Sequence, residues 1–190
     1  MKYAVQIIYF ALFLLFWSMY LVTNKIKRRR FYRINHKIDS KIKLNTKFSV
    51  FYSLYFIEVL ILYYIFFNNV ILIIKITEMY IVATIVHNLF FLAFPVYIER
   101  PKISDKGFFN KLTLLYYKID EPFNTFPSMH ISMITIAFLS LYFFWYKTYA
   151  LLLLPFYFLT AISTFYIKQH YFVDAVSGFL LGLIIFIVLR

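Results

Sequence analysis

Long apolar runs separated by short polar breaks set the pattern of this chain. Six runs approach the roughly 20 residues that a helix needs to cross a bilayer. They fall at about residues 3–22, 48–67, 77–98, 130–146, 148–167 and 171–189. The pattern predicts an all-α polytopic membrane protein whose six transmembrane helices form one bundle, a single domain over residues 1–190. The first run makes a poor secretory signal, because only Lys2 precedes it and no small-residue cleavage pattern separates it from the basic run Lys25 to Arg30. Asn68 and Asn69 interrupt a longer apolar stretch, so two helices joined by a tight polar turn are expected there.

Residues 99–129 form the long polar interruption of the second half, and long ordered connections are usually functional. Inside it Phe108, Phe109, Leu112, Leu115 and Tyr116 recur at helical spacing, which predicts a short helix lying in the interface. Composition adds exclusions. Without cysteine, neither a disulfide framework nor a thiolate metal site is open to the chain. The net charge of +12 lies in loops between apolar runs, which points to anionic lipid headgroups as partners and away from nucleic acid. Sixteen of the 20 lysines and arginines gather on one side of the predicted topology, ten of them in the loop Lys25 to Lys47. The positive-inside rule makes that side cytoplasmic and reads the basic loop as a topology determinant.

The same side collects the chemistry. The third run ends at Arg100-Pro101 and the fourth begins at His130. Two more crossings return the chain to His170 and Asp174, so topology alone brings these four residues to one membrane face. His170 and Asp174 are four apart, which on a helix lets the carboxylate accept the Nδ1 proton and leaves Nε2 as a nucleophile. His130 is then placed to protonate a leaving group, and Arg100 suits a two-point phosphate clamp. Ser128 and the N–H groups at the start of the fourth run favour the same anion. Ser163, two turns before His170, is either a further phosphate contact or bonded back to its own helix. His87 and Glu78, within the third run, are expected as polar contacts of the bundle interior. Gly178 and Gly182 suit close helix packing.

Phe126-Pro127-Ser128-Met129-His130 and the segment from Ser163 through His170 to Asp174 resemble the second and third signature motifs of the type-2 phosphatidic acid phosphatase superfamily. Arg100-Pro101 resembles the end of its first motif. The resemblance implies that His170 attacks phosphorus to form a phosphohistidine, that Asp174 orients it and that His130 protonates the leaving group. No metal or cofactor is implied. Two motif cations are missing: Ala93 stands at the lysine position and Thr164 at the arginine position. Lys102 or Lys168 is available to supply charge, although on an unbroken helix Lys168 would point away from His170. Ser163-Thr164 with His170-Tyr171-Phe172-Val173-Asp174 is also similar to the inositol phosphorylceramide synthase branch. The expected activity is hydrolysis of a lipid phosphomonoester or pyrophosphate. A headgroup phosphotransferase and a non-catalytic membrane scaffold are the alternatives. The resemblance also implies a bacterial cell membrane with the site outside the cytoplasm, opposite to the charge count.

Overall fold

The structure is a computed structural model that describes residues 3–26, 28–144 and 146–190. Among these residues, five helices are long and apolar enough to cross a membrane: α1 (Ala4–Asn24), α3 (Ser49–Phe66), α4 (Val70–Ala93), α7 (Lys147–Tyr166) and α8 (Phe172–Leu189). A sixth apolar helix, α6 (Met129–Phe143), has 15 residues. Two short helices, α2 (Lys37–Lys41) and α5 (Phe108–Ile119), lie in polar connections. The chain is an all-α polytopic membrane bundle. At about 1.5 Å per residue α6 is roughly 22 Å long, less than the ~30 Å hydrocarbon core, so its two ends do not both reach the membrane surfaces.

Local chemistry sets the helix ends and corrects the predicted third run. α4 starts at Val70, seven residues earlier than expected, because the Asn69 side chain accepts the Leu72 N–H at 3.2 Å and caps it. It stops at Ala93, not Ile98. Pro95 disfavours helical geometry at Phe94 and has no N–H to donate. Residues beyond it run extended, with Val96 bridged to Tyr32 and Asn124. α5 is a helix where the spacing predicted one, with Phe108, Phe109 and Leu115 of that stripe exposed.

α6 is the centre of the bundle, against α3, α4, α7 and α8, while α1 packs on α4. Leu62, Phe66, Ile76, Met79, Met133 and Ile136 are fully buried between the helices. Ile7, Leu15, Tyr64, Leu152 and Val188 point outward, as lipid-facing residues do. Gly178 permits the close approach of α8 to α6: a methyl there would lie 2.4 Å from the Ser128 carbonyl oxygen. His87 is fully buried, with Nδ1 2.7 Å from the Ala83 carbonyl and Nε2 3.1 Å from Ser132 Oγ, as expected of an interior polar contact. Glu78, by contrast, is exposed on α4. A carboxylate that the pattern did not mark, Glu58 of α3, is buried and accepts a hydrogen bond from Thr160 at 2.9 Å.

Candidate active site

His170 sits in the turn between α7 and α8, not on a helix. α7 ends at Tyr166, and Lys168, at φ 55°, reverses the chain. The Gln169 and His170 N–H groups both donate to the Thr164 carbonyl, at 2.8 and 3.2 Å, which closes the end of α7 and turns His170 onto the bundle. Asp174 lies in the first turn of α8, where its Oδ2 accepts the Tyr171 N–H at 2.8 Å and caps the helix. The Ser128 N–H donates to the Asp174 carbonyl at 2.9 Å, which ties the start of α6 to α8.

The expected helical pairing of His170 with Asp174 is therefore altered. His170 Nδ1 is 3.5 Å from Asp174 Oδ2 but 3.0 Å from the Thr125 carbonyl oxygen. A carbonyl only accepts, so Nδ1 carries the proton and Nε2 of the neutral ring is an acceptor. His170 Nε2 lies 3.2 Å from His130 Nδ1, which must then be the donor. That leaves His130 Nε2 as an acceptor, and the Tyr52 O–H donates to it at 2.7 Å. One carbonyl thus orders three hydrogen bonds in a single direction, from Tyr52 through His130 and His170 to Thr125. This is the order of donors for two neutral rings, and all four residues are buried.

The two histidines face different cavities. His170 lines a polar cavity of about 340 Å³ with Arg33, Asp39, Glu99 and Lys168. His130 lines an apolar cavity of about 140 Å³ with Trp17, Tyr52, Phe56 and Asp120. The basic loop before α3 is a wall of the polar cavity, beyond the topological role expected of it. Lys168 Nζ donates to the carbonyls of Asp39, at 3.2 Å, and Ile42, while the Phe172 N–H donates to Asp39 Oδ1 at 2.8 Å. Arg33 pairs with Glu99 at 3.1 Å. Because the helix is broken at Tyr166, Lys168 and His170 share this cavity, which an unbroken helix would have prevented. Burial pushes the Lys168 ammonium below its ordinary pKa, partly offset by Asp39.

The remaining predicted residues surround the pair. The Arg100 guanidinium donates to the carbonyls of Asp120, at 2.6 Å, and Tyr117, at 3.4 Å, and to Gln169 Oε1. It also lies 4.5 Å above the Tyr117 ring. Arg100 thus joins the C-terminal end of α5 to the neighbour of His170. Asp120 Oδ1 accepts from Tyr20 and from Asn24 Nδ2, the latter at 2.8 Å. Burial pushes its carboxyl above the usual range against the pull of Arg100. Ser128 caps α6, its Oγ accepting the Ile131 N–H at 3.4 Å. Ser163 bonds back to the Thr160 carbonyl at 2.6 Å. Tyr52 and Arg33 were not marked by any motif; the aromatic and basic character of their segments was the only signal. Among the described residues, no group of three or more His, Asp or Glu is arranged to hold a metal.

Residues 29–188 match the PAP2 superfamily. The chain belongs to that superfamily. No curated protein and no solved structure matches it. The PAP2 match spans Arg33 and Lys168 of the polar cavity as well as the two histidines and Asp174. It supports an enzyme of the phosphatase and phosphotransferase type acting on lipids.

Proposed function

We propose that this PAP2 protein is a metal-independent lipid phosphate phosphatase working through a phosphohistidine on His170. The observation that carries the reading is the buried His130–His170 contact, with a charged cavity on the His170 side and an apolar cavity on the His130 side. A lipid phosphate has the same order of polar group, phosphorus and apolar chain. In this reading the phosphoryl oxygens lie in the polar cavity, where Arg33 and Lys168 supply the charge that Ala93 and Thr164 cannot. Arg100 and Ser128 fix the frame around the phosphate.

Entry of the phosphate as its monoanion replaces the bond between the rings and brings the proton that charges His130, and the remaining negative charge stabilises that ring. His170 Nε2 attacks phosphorus as the bond to the lipid oxygen breaks, and His130 gives its proton to that oxygen. The Tyr52 hydroxyl holds His130 Nε2 in either state, because it donates or accepts by rotation. Thr125 and Asp174 hold the Nδ1 proton and stabilise the positive ring. Water then attacks phosphorus in line with the His170 bond, from the position the alcohol has left, and His130 removes its proton.

Phosphate release in detergent from a panel of lipid monophosphates and pyrophosphates tests this directly. In oxygen-18 water the released phosphate should carry the label. A labelled alcohol recovered as phosphodiester with no free phosphate would make the protein a transferase, and no turnover of any lipid would leave a scaffold.

For sidedness we follow the charge imbalance and place the catalytic end in the cytoplasm. Cysteines at Ser40 and Thr148, both exposed, test it in this cysteine-free chain. A membrane-impermeant thiol reagent on intact cells should label Thr148→Cys only, and labelling of Ser40→Cys only would reverse the orientation.

A further inference from the structure

The apolar cavity beside His130 is the inner end of a longer feature. It shares Trp17 and Phe56 with a second apolar cavity of about 140 Å³, which in turn shares Phe10 and Leu60 with a third of about 230 Å³ that ends at Gln6. The three lie in series along the crevice between α1 and α3. That crevice exists because α1 packs on α4 and α3 packs on α7, so the two helices meet mainly through aromatic rings on its floor, such as Phe13 against Tyr63. Its rim is open to the hydrocarbon, with Leu14, Phe56 and Leu60 each more than 40% exposed. Along α1 it runs from Leu21 to Gln6, about 22 Å at 1.5 Å per residue, which covers most of the ~30 Å core.

We infer that this crevice is the binding site for one apolar chain of the lipid phosphate substrate, with the ester oxygen at His130. The inference rests on the phosphohistidine reading above and adds the path of the substrate's chain. Three observations identify the occupant. The crevice is apolar between Asp120 and His130 at its inner end and Gln6 at its outer end, its open side faces acyl chains, and its inner end holds the ring that is to protonate the departing lipid oxygen. A soluble phosphate would use only the polar cavity.

The groove also makes the enzyme a chain-length reader. The chain contains two tryptophans, so Trp145→Phe leaves Trp17, on the groove wall, as the sole reporter. In that background with His170→Ala added to prevent turnover, a monophosphate lipid brominated along its chain is compared with brominated phosphatidylcholine at equal mole fraction in vesicles. At least twofold stronger, saturable quenching by the lipid phosphate, competed by its unbrominated form, is expected. Equal quenching by the two lipids overturns the inference. Separately, Leu60→Phe narrows the groove midway and should lower the ratio of long-chain to short-chain kcat/KM about tenfold. An unchanged ratio also overturns it. If the wild-type protein hydrolyses no lipid phosphate, the catalytic reading fails, while the quenching comparison still decides whether the groove takes the chain.

Discussion

His130 Nδ1 donates to His170 Nε2 across 3.2 Å, so the two histidines that the motifs place forty residues apart are bonded to each other before any substrate arrives. The direction of that bond is set from outside the pair, by the Thr125 carbonyl at one end and the Tyr52 hydroxyl at the other. The resting site is therefore closed. Binding a phosphate has to replace this bond with two new ones, which is how the substrate's own charge prepares the acid.

Tyr52→Phe keeps the ring against Tyr116 and removes only the hydroxyl that holds His130 Nε2. Activity on alkyl lipid phosphates, which need a protonated leaving group, should fall about tenfold, within the range of acid–base contributions. Aryl phosphates, with good leaving groups, should be affected far less, and KM should change little. An equal loss on both substrates would mean that Tyr52 acts through packing.

Asp174→Asn distinguishes this site from a serine-protease triad. Where a carboxylate alone holds the histidine tautomer, its amide costs about 10⁴ in kcat. Here the Thr125 carbonyl is the nearer acceptor of the Nδ1 proton, so the loss should be about 10- to 100-fold. A loss near 10⁴ would show that Asp174 sets the tautomer after all.

Lys168 gives the site an alkaline limit. Its ammonium, depressed by burial, is lost at lower pH than that of an exposed lysine. A group that binds phosphate only when protonated weakens binding as pH rises through its pKa, so KM should climb on the alkaline side. Lys168→Arg, permanently charged, should move that climb to higher pH. Superimposable KM profiles would remove Lys168 from phosphate binding.

Gly178→Ala probes the seam that carries His130. Its methyl would meet the Ser128 carbonyl oxygen at 2.4 Å, two residues before His130, whereas at Gly182 the nearest atom, the Ser132 carbonyl oxygen, is 2.7 Å away and deeper in the bundle. Overpacking of this kind costs about 1–3 kcal/mol. Both variants should melt earlier in detergent, with Gly178→Ala losing the larger share of kcat. Full activity in Gly178→Ala would show that the start of α6 tolerates displacement.

The number of apolar helices, the Asn68-Asn69 turn and the shared face of Arg100, His130 and His170 were legible because they depend on the count of apolar runs and parity of crossing alone. The phase of each helix was not. Helices apolar on every side carry no stripe to say which face turns inward, so Glu78 was expected inside and Glu58 passed over. The stop at Pro95 was readable but masked by the hydropathy that continues to Ile98. Spacing suggested a helical His170–Asp174 pair, yet the turn at Lys168 takes His170 off the helix and toward Thr125. Arg33 and Tyr52 reach the site through loop folding and helix packing, which neighbouring residues do not encode.

The covalent intermediate is the most direct test of the account. A lipid phosphate labelled with radioactive phosphorus, carrying a good leaving group, is mixed with His130→Ala protein and quenched in alkali, where phosphohistidine survives. Without His130 to activate water the label should accumulate on the peptide that holds His170, be released by acid, and be absent from His170→Ala. Label on another residue, or hydrolysis by His170→Ala at a near-normal rate, would contradict a phosphohistidine at His170.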